Sequence, residues 1–317
     1  MRFSRYIAIL FIMAAMACSC SRARYMTFSG YAQGGTYSVK ANLKGVTVPK
    51  DEIAGTIDSL LERIDFSLSG YNHNSLVSRY NAGEEITPDE FFTEICALSD
   101  GYREMTGGAF DVAAAPLFDI WGFGFTADSL PDPAAIAVAM EECANRKKLN
   151  FNAIAQGYTC DVVAGYLHGI GVKDMLVDIG EIYCDGLNPY GQGWTIGVDN
   201  PVDGNNAPGA DLRGIWSSDG AACGIVTSGN YRKFYIKDGK KYSHTIDPRT
   251  GYPVDHDLLS ATIVAPTAAE ADALATACMV MGTDAAKEFI LSHDGIEGYL
   301  ISSDSTWTSP GFVLRSR

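Results

Sequence analysis

Between residues 175 and 247 the apolar side chains come in short runs, at 175–177, 182–184, 194–198, 224–227 and 233–236, each cut off by Gly, Asn or Asp. Runs of three to five residues are too short for helices, and their punctuation by turn formers is the pattern of strands joined by tight reversals. This stretch is therefore confined to a mostly antiparallel sheet. The flanks read differently. Residues 49–65 place Ile53, Ile57, Leu60, Leu61 and Ile64 on one helical face. Further helices are expected at 88–105, stopped by Gly107-Gly108, at 133–147, entered through Pro131 and Pro133, at 157–170 and at 268–281. A polar loop spans 67–74, and strands are expected at 36–43, 260–265, 298–302 and 312–314. With no repeat and no low-complexity linker, the class is α+β: mixed, mostly antiparallel sheets with packed helices.

The chain of 317 residues is long enough to bury a large core, and its formal charge of −14 repels phosphate backbones, so nucleic acid is excluded as a partner. A polyanionic small molecule needs a metal ion or clustered backbone N–H groups to supply positive potential locally. At the start, Arg2 and Arg5 precede an apolar run over 6–17, about a dozen residues against the roughly 20 that span a bilayer. Small residues then abut Cys18 and Cys20. Residues 1–17 are expected to be a signal peptide of lipoprotein type, with Cys18 or Cys20 carrying the lipid. The mature chain, with its folded domain over 25–317, is then an exported lipoprotein held at a membrane and facing the periplasm. Six further cysteines, at 96, 143, 160, 184, 223 and 278, are spread singly, which disfavours zinc and assigns no disulfide.

Two places carry possible chemistry. In the helix expected over 268–281, Thr267 and Glu270 form a capping box, and Asp272 and Thr276 stand one turn apart on one face. A carboxylate and a hydroxyl so placed are hard oxygen ligands suited to Mg²⁺. The same spacing is met by a helix-end carboxylate and a threonine bonded one turn back, so spacing alone leaves both readings open. His244 ends a strand before the turn Asp247-Pro248-Arg249-Thr250-Gly251, where an imidazole is placed for proton transfer or simply for a turn hydrogen bond. There is no nucleophile elbow, P-loop or dinucleotide-binding glycine motif.

In their order these signals resemble one family. Gly35-Thr36, Ser69-Gly70-Tyr71 with Asn74-Ser75 and Asn81, Gly107-Gly108-Ala109-Phe110-Asp111, Ala155-Gln156-Gly157-Tyr158 with Asp161, Trp194 with Gly197 and Pro201, Thr227-Ser228-Gly229-Asn230-Tyr231, His244-Thr245-Ile246-Asp247-Pro248 and Ala271-Asp272-Ala273-Leu274-Ala275-Thr276 together resemble the FAD:protein FMN transferase, or ApbE, family. The resemblance implies two interlocked lobes with the ligand between them, and a Mg²⁺-dependent enzyme. Its substrate would be FAD, and it would attach FMN by a phosphoester bond to a Thr or Ser of an acceptor flavoprotein, releasing AMP. It further implies Asp272, Thr276 and the Ala153 carbonyl as metal ligands. Tyr71, Ala109, Phe110, Asp111, Asn150, Gln156 and Ile246 are implied as FAD contacts, and His244 as the residue nearest the transfer. The chain departs from the family pattern at Gly34 for Met, Gln156 for Lys, Asn150 for Asp, and a single Gly180 for a double glycine. FAD hydrolysis, or flavin binding without catalysis on a membrane-tethered protein, are the alternatives these departures leave.

Overall fold

The computed structural model describes residues 23–123, 130–202, 209–230, 234–237 and 240–316, with the backbone alone for 234–237 and 240–242. The targeting segment over 1–17, Cys18, Cys20 and Tyr231 lie outside the described residues.

The chain opens with a hairpin, β1 (Tyr25–Ala32) and β2 (Gly35–Asn42), in which Tyr37, Val39 and Ala41 alternate into the core. Against it lies α1 (Lys50–Leu68), which begins after Pro49 with Asp51 and Glu52 in its first turn and buries Ile53, Ile57, Leu61 and Ile64 at helical spacing. A short helix α2 (Leu76–Asn81), capped by Ser75, follows the expected polar loop, and α3 (Glu90–Met105) starts at its Asp89 cap. A 3₁₀ turn (Val112–Ala114) leads into α4 (Ala115–Ile120), followed by α5 (Pro133–Ala144) and α6 (Ala155–Gly169).

The strand-rich part follows: β3 (Met175–Asp178), β4 (Ile182–Asp185), β5 (Thr195–Asp199), β6 (Leu212–Ser217), β7 (Cys223–Gly229), β8 (Phe234–Lys237), β9 (Lys240–Ser243) and β10 (Leu258–Ala265). Helices α7 (Ala268–Met281) and α8 (Thr283–Ser292) and strands β11 (Glu297–Ser302), β12 (Thr306–Thr308) and β13 (Leu314–Arg315) close the chain. Eight strands form one sheet in the order β1-β2-β3-β4-β7-β10-β11-β12; β13-β6-β5 form a second, and β8-β9 a hairpin. Among the described residues every strand pairing in these sheets is antiparallel. The N-terminal hairpin pairs with β3, so the strand-rich part is built from both ends of the chain with the helices α1–α6 between. This is the interlocking the resemblance implies.

Helix α7 sits at the centre. Leu274, Ala275 and Cys278 face the sheet with Ala261 and Ile263, whereas Ala269, Ala273 and Ala277 face α3 and α6. Being covered on both sides, it needs apolar residues around its whole circumference, and it has them. The other face of the large sheet is covered by the small one through Trp194, Ile196, Trp216 and Phe312.

Two glycines let α7 enter this position. A Cβ on Gly157 of α6 would lie 2.2 Å from the Ala268 carbonyl oxygen, and one on Gly224 of β7 would lie 2.3 Å from the Ala268 Cα. Only glycine permits backbone approach this close. Asp161, one turn after Gly157, accepts the Ala268 and Ala269 N–H groups at 2.8 Å each, and Thr267 Oγ1 accepts the Glu270 N–H at 3.1 Å. By helix propensity Gly157→Ala should stabilise α6 by up to about 1 kcal/mol. The backbone clash predicts the opposite sign, a loss of about 3 kcal/mol, readable by urea denaturation. A variant at least as stable as the parent would mean that the α6–α7 contact is looser than described.

Candidate active site

A cleft of about 400 Å³ opens beside α7, within the size range of small-molecule sites. Most of its walls come from places far apart in sequence: the turn 109–112 after α3, the segment 150–153 before α6, the end of β7, the turn after β9, and one face of α7, with Tyr71, Phe118, Phe123 and Glu181 completing it. Of the residues singled out above, Tyr71, Ala109, Phe110, Asp111, Asn150, Ala153, His244, Ile246, Asp272 and Thr276 line it. Gln156 does not. Its amide packs over Gly180, where a Cβ would meet Gln156 Nε2 at 2.5 Å. Gly180 has φ +92°, so the one glycine left from the family's pair stands at a position with left-handed backbone.

Asp272 is 5% exposed. One oxygen, Oδ2, accepts the Gly157 N–H at 3.1 Å. Burial pushes its carboxyl up to about 7, Asp161 adds repulsion, and the Gly157 bond acts in the opposite direction. Asp161 is likewise raised, to about 6, chiefly by burial and against the pull of its two backbone N–H groups. Gly157 is the third residue of α6, so its N–H belongs to the first turn and has no carbonyl within the helix to bond; Asp272 takes it, and the Ala153 carbonyl, just ahead of the helix, accepts from no backbone N–H among the described residues. Thr276, one turn after Asp272, has its Oγ1 3.3 Å from Ser228 Oγ.

The cleft thus holds a buried carboxylate, two hydroxyls and a backbone carbonyl, all hard oxygen donors, and this set fits a divalent cation of the Mg²⁺ class. A cation there would also relieve the cost of a buried carboxylate. No group of three or more His, Cys, Asp or Glu suited to a metal occurs among the described residues, so a cation here would rely on one carboxylate, neutral oxygens and whatever a ligand supplies.

His244 directly follows β9 and is half-buried. Its neighbours are tied down: Thr245 Oγ1 donates to Asn230 Oδ1 at 2.5 Å, and the Thr245 N–H donates to Ser243 Oγ at 3.1 Å. The imidazole faces Phe123 edge-on, ring centroids 6.4 Å apart. Beyond it the turn is locked by a bidentate Arg249–Asp247 pair at 2.9 Å, and the Trp121 Nε1–H donates to the Gly251 carbonyl at 2.8 Å.

On the opposite wall the Asp111 carboxylate is engaged in structure, with Oδ1 accepting the Ala113 N–H at 2.8 Å and Oδ2 the Arg103 Nε–H at 2.7 Å. Ala109 and Phe110 are only 1% and 2% exposed, so what this wall offers a ligand is a rigid backbone edge. Asn150 Oδ1 accepts the Asn152 N–H at 2.9 Å, leaving its NH₂ as the donor for a ligand. Tyr71 stands exposed at the mouth.

Sequence reasoning missed Glu181 and the aromatic residues Phe118 and Phe123, all of which line the cleft. Ser228 carried a signal, since strand alternation puts it on the face of Val226, toward α7, but the facing Thr276 comes from a helix 48 residues away.

Comparison with known proteins gives the chain's family and relates its fold to solved structures. A family model described as the ApbE family matches residues 33–300. The chain is 30% identical over 311 residues to an FAD:protein FMN transferase of Escherichia coli K12, covering 86% of this chain and 84% of that one. It is 32% identical over 292 residues to one of Salmonella typhimurium, covering 82% and 81%. Among solved structures, the apo form of the Pseudomonas stutzeri flavinyl transferase ApbE matches with a TM-score of 0.79 at 29% identity, covering 92% of this chain and 96% of that one. The Vibrio cholerae flavin transferase ApbE matches with a TM-score of 0.77 at 27% identity, covering 92% and 100%. With a family match over most of its length and relatives at this level of identity, the chain belongs to the ApbE family.

Proposed function

We propose that this protein is a Mg²⁺-dependent FAD:protein FMN transferase, which cleaves the FAD pyrophosphate, joins FMN to a Thr or Ser hydroxyl of an acceptor flavoprotein and releases AMP. Supporting the flavin chemistry are the activities named for its relatives. The observation that carries the rest is the convergence in one cleft of the Asp272, Thr276 and Ser228 oxygens and the Ala153 carbonyl with His244. Asp272, Thr276 and the Ala153 carbonyl would hold the cation. When bound, Mg²⁺ neutralises the diphosphate and the charge developing on the leaving AMP. That role matters in a protein of charge −14, which otherwise repels its substrate.

The protein's own groups divide the remaining work. The backbone edge at 109–111, with Tyr71, Asn150 and Ile246, holds the flavin nucleotide. His244 accepts the proton of the acceptor hydroxyl as its oxygen bonds to the FMN phosphorus and the bond to the AMP oxygen breaks. The tied backbone on either side keeps the imidazole in place for that transfer. Gln156, packed on Gly180, acts by shaping the loop that carries Glu181. The N-terminal pattern supports export and lipid attachment at Cys18, which would hold the enzyme at a membrane surface; no described helix is long and apolar enough to cross one.

Asp272→Asn keeps an oxygen for the Gly157 N–H and removes the charge. It should abolish Mg²⁺-dependent AMP release and leave the thermal melt close to that of the parent. In the parent, Mg²⁺ affinity by calorimetry should fall as pH drops through about 7, because the raised carboxyl takes up a proton that competes with the cation. The variant should lack that slope. Parental rates in Asp272→Asn would remove the carboxylate from the metal site.

His244→Asn should slow single-turnover transfer by about 10²–10⁴-fold, the usual contribution of a positioned base, with FAD affinity changed little. Equal losses in rate and affinity would make His244 a binding residue. With FAD, Mg²⁺ and an acceptor, the parent should yield FMN on protein together with AMP; free FMN in place of the protein adduct would mean hydrolysis. Mass spectrometry of the mature N-terminus should find a lipid on Cys18, and an unmodified terminus would exclude the tether.

A further inference from the structure

Away from the cleft, β4 and β7 place two cysteines opposite each other. Cys184 and Cys223 are register partners in the antiparallel ladder, and their Sγ atoms are 3.7 Å apart. Partners in such a ladder have Cα atoms about 4.5–5.5 Å apart, inside the range a disulfide accepts. Closing to a bond of about 2.05 Å requires side-chain rotation and no rearrangement of the strands.

The two sulfurs differ in environment. Cys184 is fully buried among Trp194, Trp216 and Ile225, between the two sheets. Cys223 is half-buried: it packs against the edge of the same cluster and follows the exposed Ala221 and Ala222, which makes it the more accessible of the two. Either sulfur can donate in this contact; with Cys184 as the donor, the Cys223 pKa is drawn below its ordinary value and that of Cys184 is raised, although burial, and after it Asp219 and Asp185, oppose the shift at Cys223. A less buried, more acidic thiol beside a fully buried partner is the arrangement of an attacking and a resolving cysteine.

We propose that Cys184 and Cys223 are a site of reversible oxidation, closing by exchange with a small-molecule disulfide into a cross-strand bridge that staples β4 to β7. The Cys223 thiolate attacks one sulfur of the oxidant, forming a mixed disulfide and expelling one thiolate. The Cys184 sulfur, losing its proton to solvent or to that thiolate, displaces the second. Two protein thiols are oxidised, the oxidant's S–S bond is reduced to two thiols, and the protons end on those thiols.

The bridge would join two strands whose cleft ends carry Glu181 and Thr227-Ser228. It would close a loop of 39 residues in sequence separation, raising stability chiefly by restricting the unfolded chain. The pair would be closed in oxidising surroundings and open in reducing ones. This inference stands independently of the reaction proposed above.

The test uses the full-length protein, equilibrated with oxidised glutathione, denatured in N-ethylmaleimide and digested without reduction. A peptide containing Cys184 linked to one containing Cys223 is expected. The melting temperature of the oxidised protein should rise by roughly 5 °C, reversed by dithiothreitol, and Cys223→Ala should show neither the link nor the shift. Both cysteines recovered alkylated, Cys223 recovered as a glutathione adduct beside alkylated Cys184, or an oxidation-dependent shift that persists in Cys223→Ala would overturn the proposal.

Discussion

The N-terminus of α7 is pressed between two backbones, α6 on one side and β7 on the other, and the active-site geometry depends on that contact. Ala268 meets Gly157 and Gly224 at distances that exclude any side chain at either glycine. The close approach brings Asp161 onto the first N–H groups of α7, so the helix start is fixed by a carboxylate from a neighbouring helix as well as by its own Thr267. It also brings the Gly157 N–H within reach of Asp272. One hydrogen bond then orients the carboxylate beside the Ala153 carbonyl, which accepts from no backbone N–H among the described residues. The packing of α7 and the placement of its buried carboxylate are the same event here.

The electrostatics follow from this packing. Two carboxylates, the buried Asp272 and the half-buried Asp161, lie near each other with raised pKa values, partly compensated by backbone N–H groups. Such a pair is costly in an apolar interior unless something positive completes it. The α7 N-terminus serves Asp161 in that way. For Asp272 the open cleft beside it is where a cation of the proposed reaction would act, and a strongly acidic chain has no net field of its own to draw in a diphosphate.

Several features were legible before any coordinates. The start of α7 follows from Thr267 and Glu270, and the chain forms that helix over Ala268–Met281. The apolar spacing in α1 marks its buried face, with Leu60 only partly buried at its margin. Strands β1, β6 and β12 and helices α2, α4 and α8 were not read. Their residues alternate weakly or are too few to carry a period. Gln156 matches the family motif by position but lies outside the cleft, because its side chain covers Gly180.

Local chemistry therefore determined the longer helices and most of the strands, where α7 starts, and that Asp272 and Thr276 share a helix face, since these depend on neighbours a few residues apart. Ordered motifs in the sequence were enough to point to the family. The tertiary structure alone decided that Ser228 meets Thr276, that Glu181 and Phe123 enter the cleft, that Asp272 takes the Gly157 N–H, and that Cys184 faces Cys223. Each of these joins residues distant along the chain, and their meeting is set by strand register and by how closely two glycines let α7 approach, which no local periodicity records.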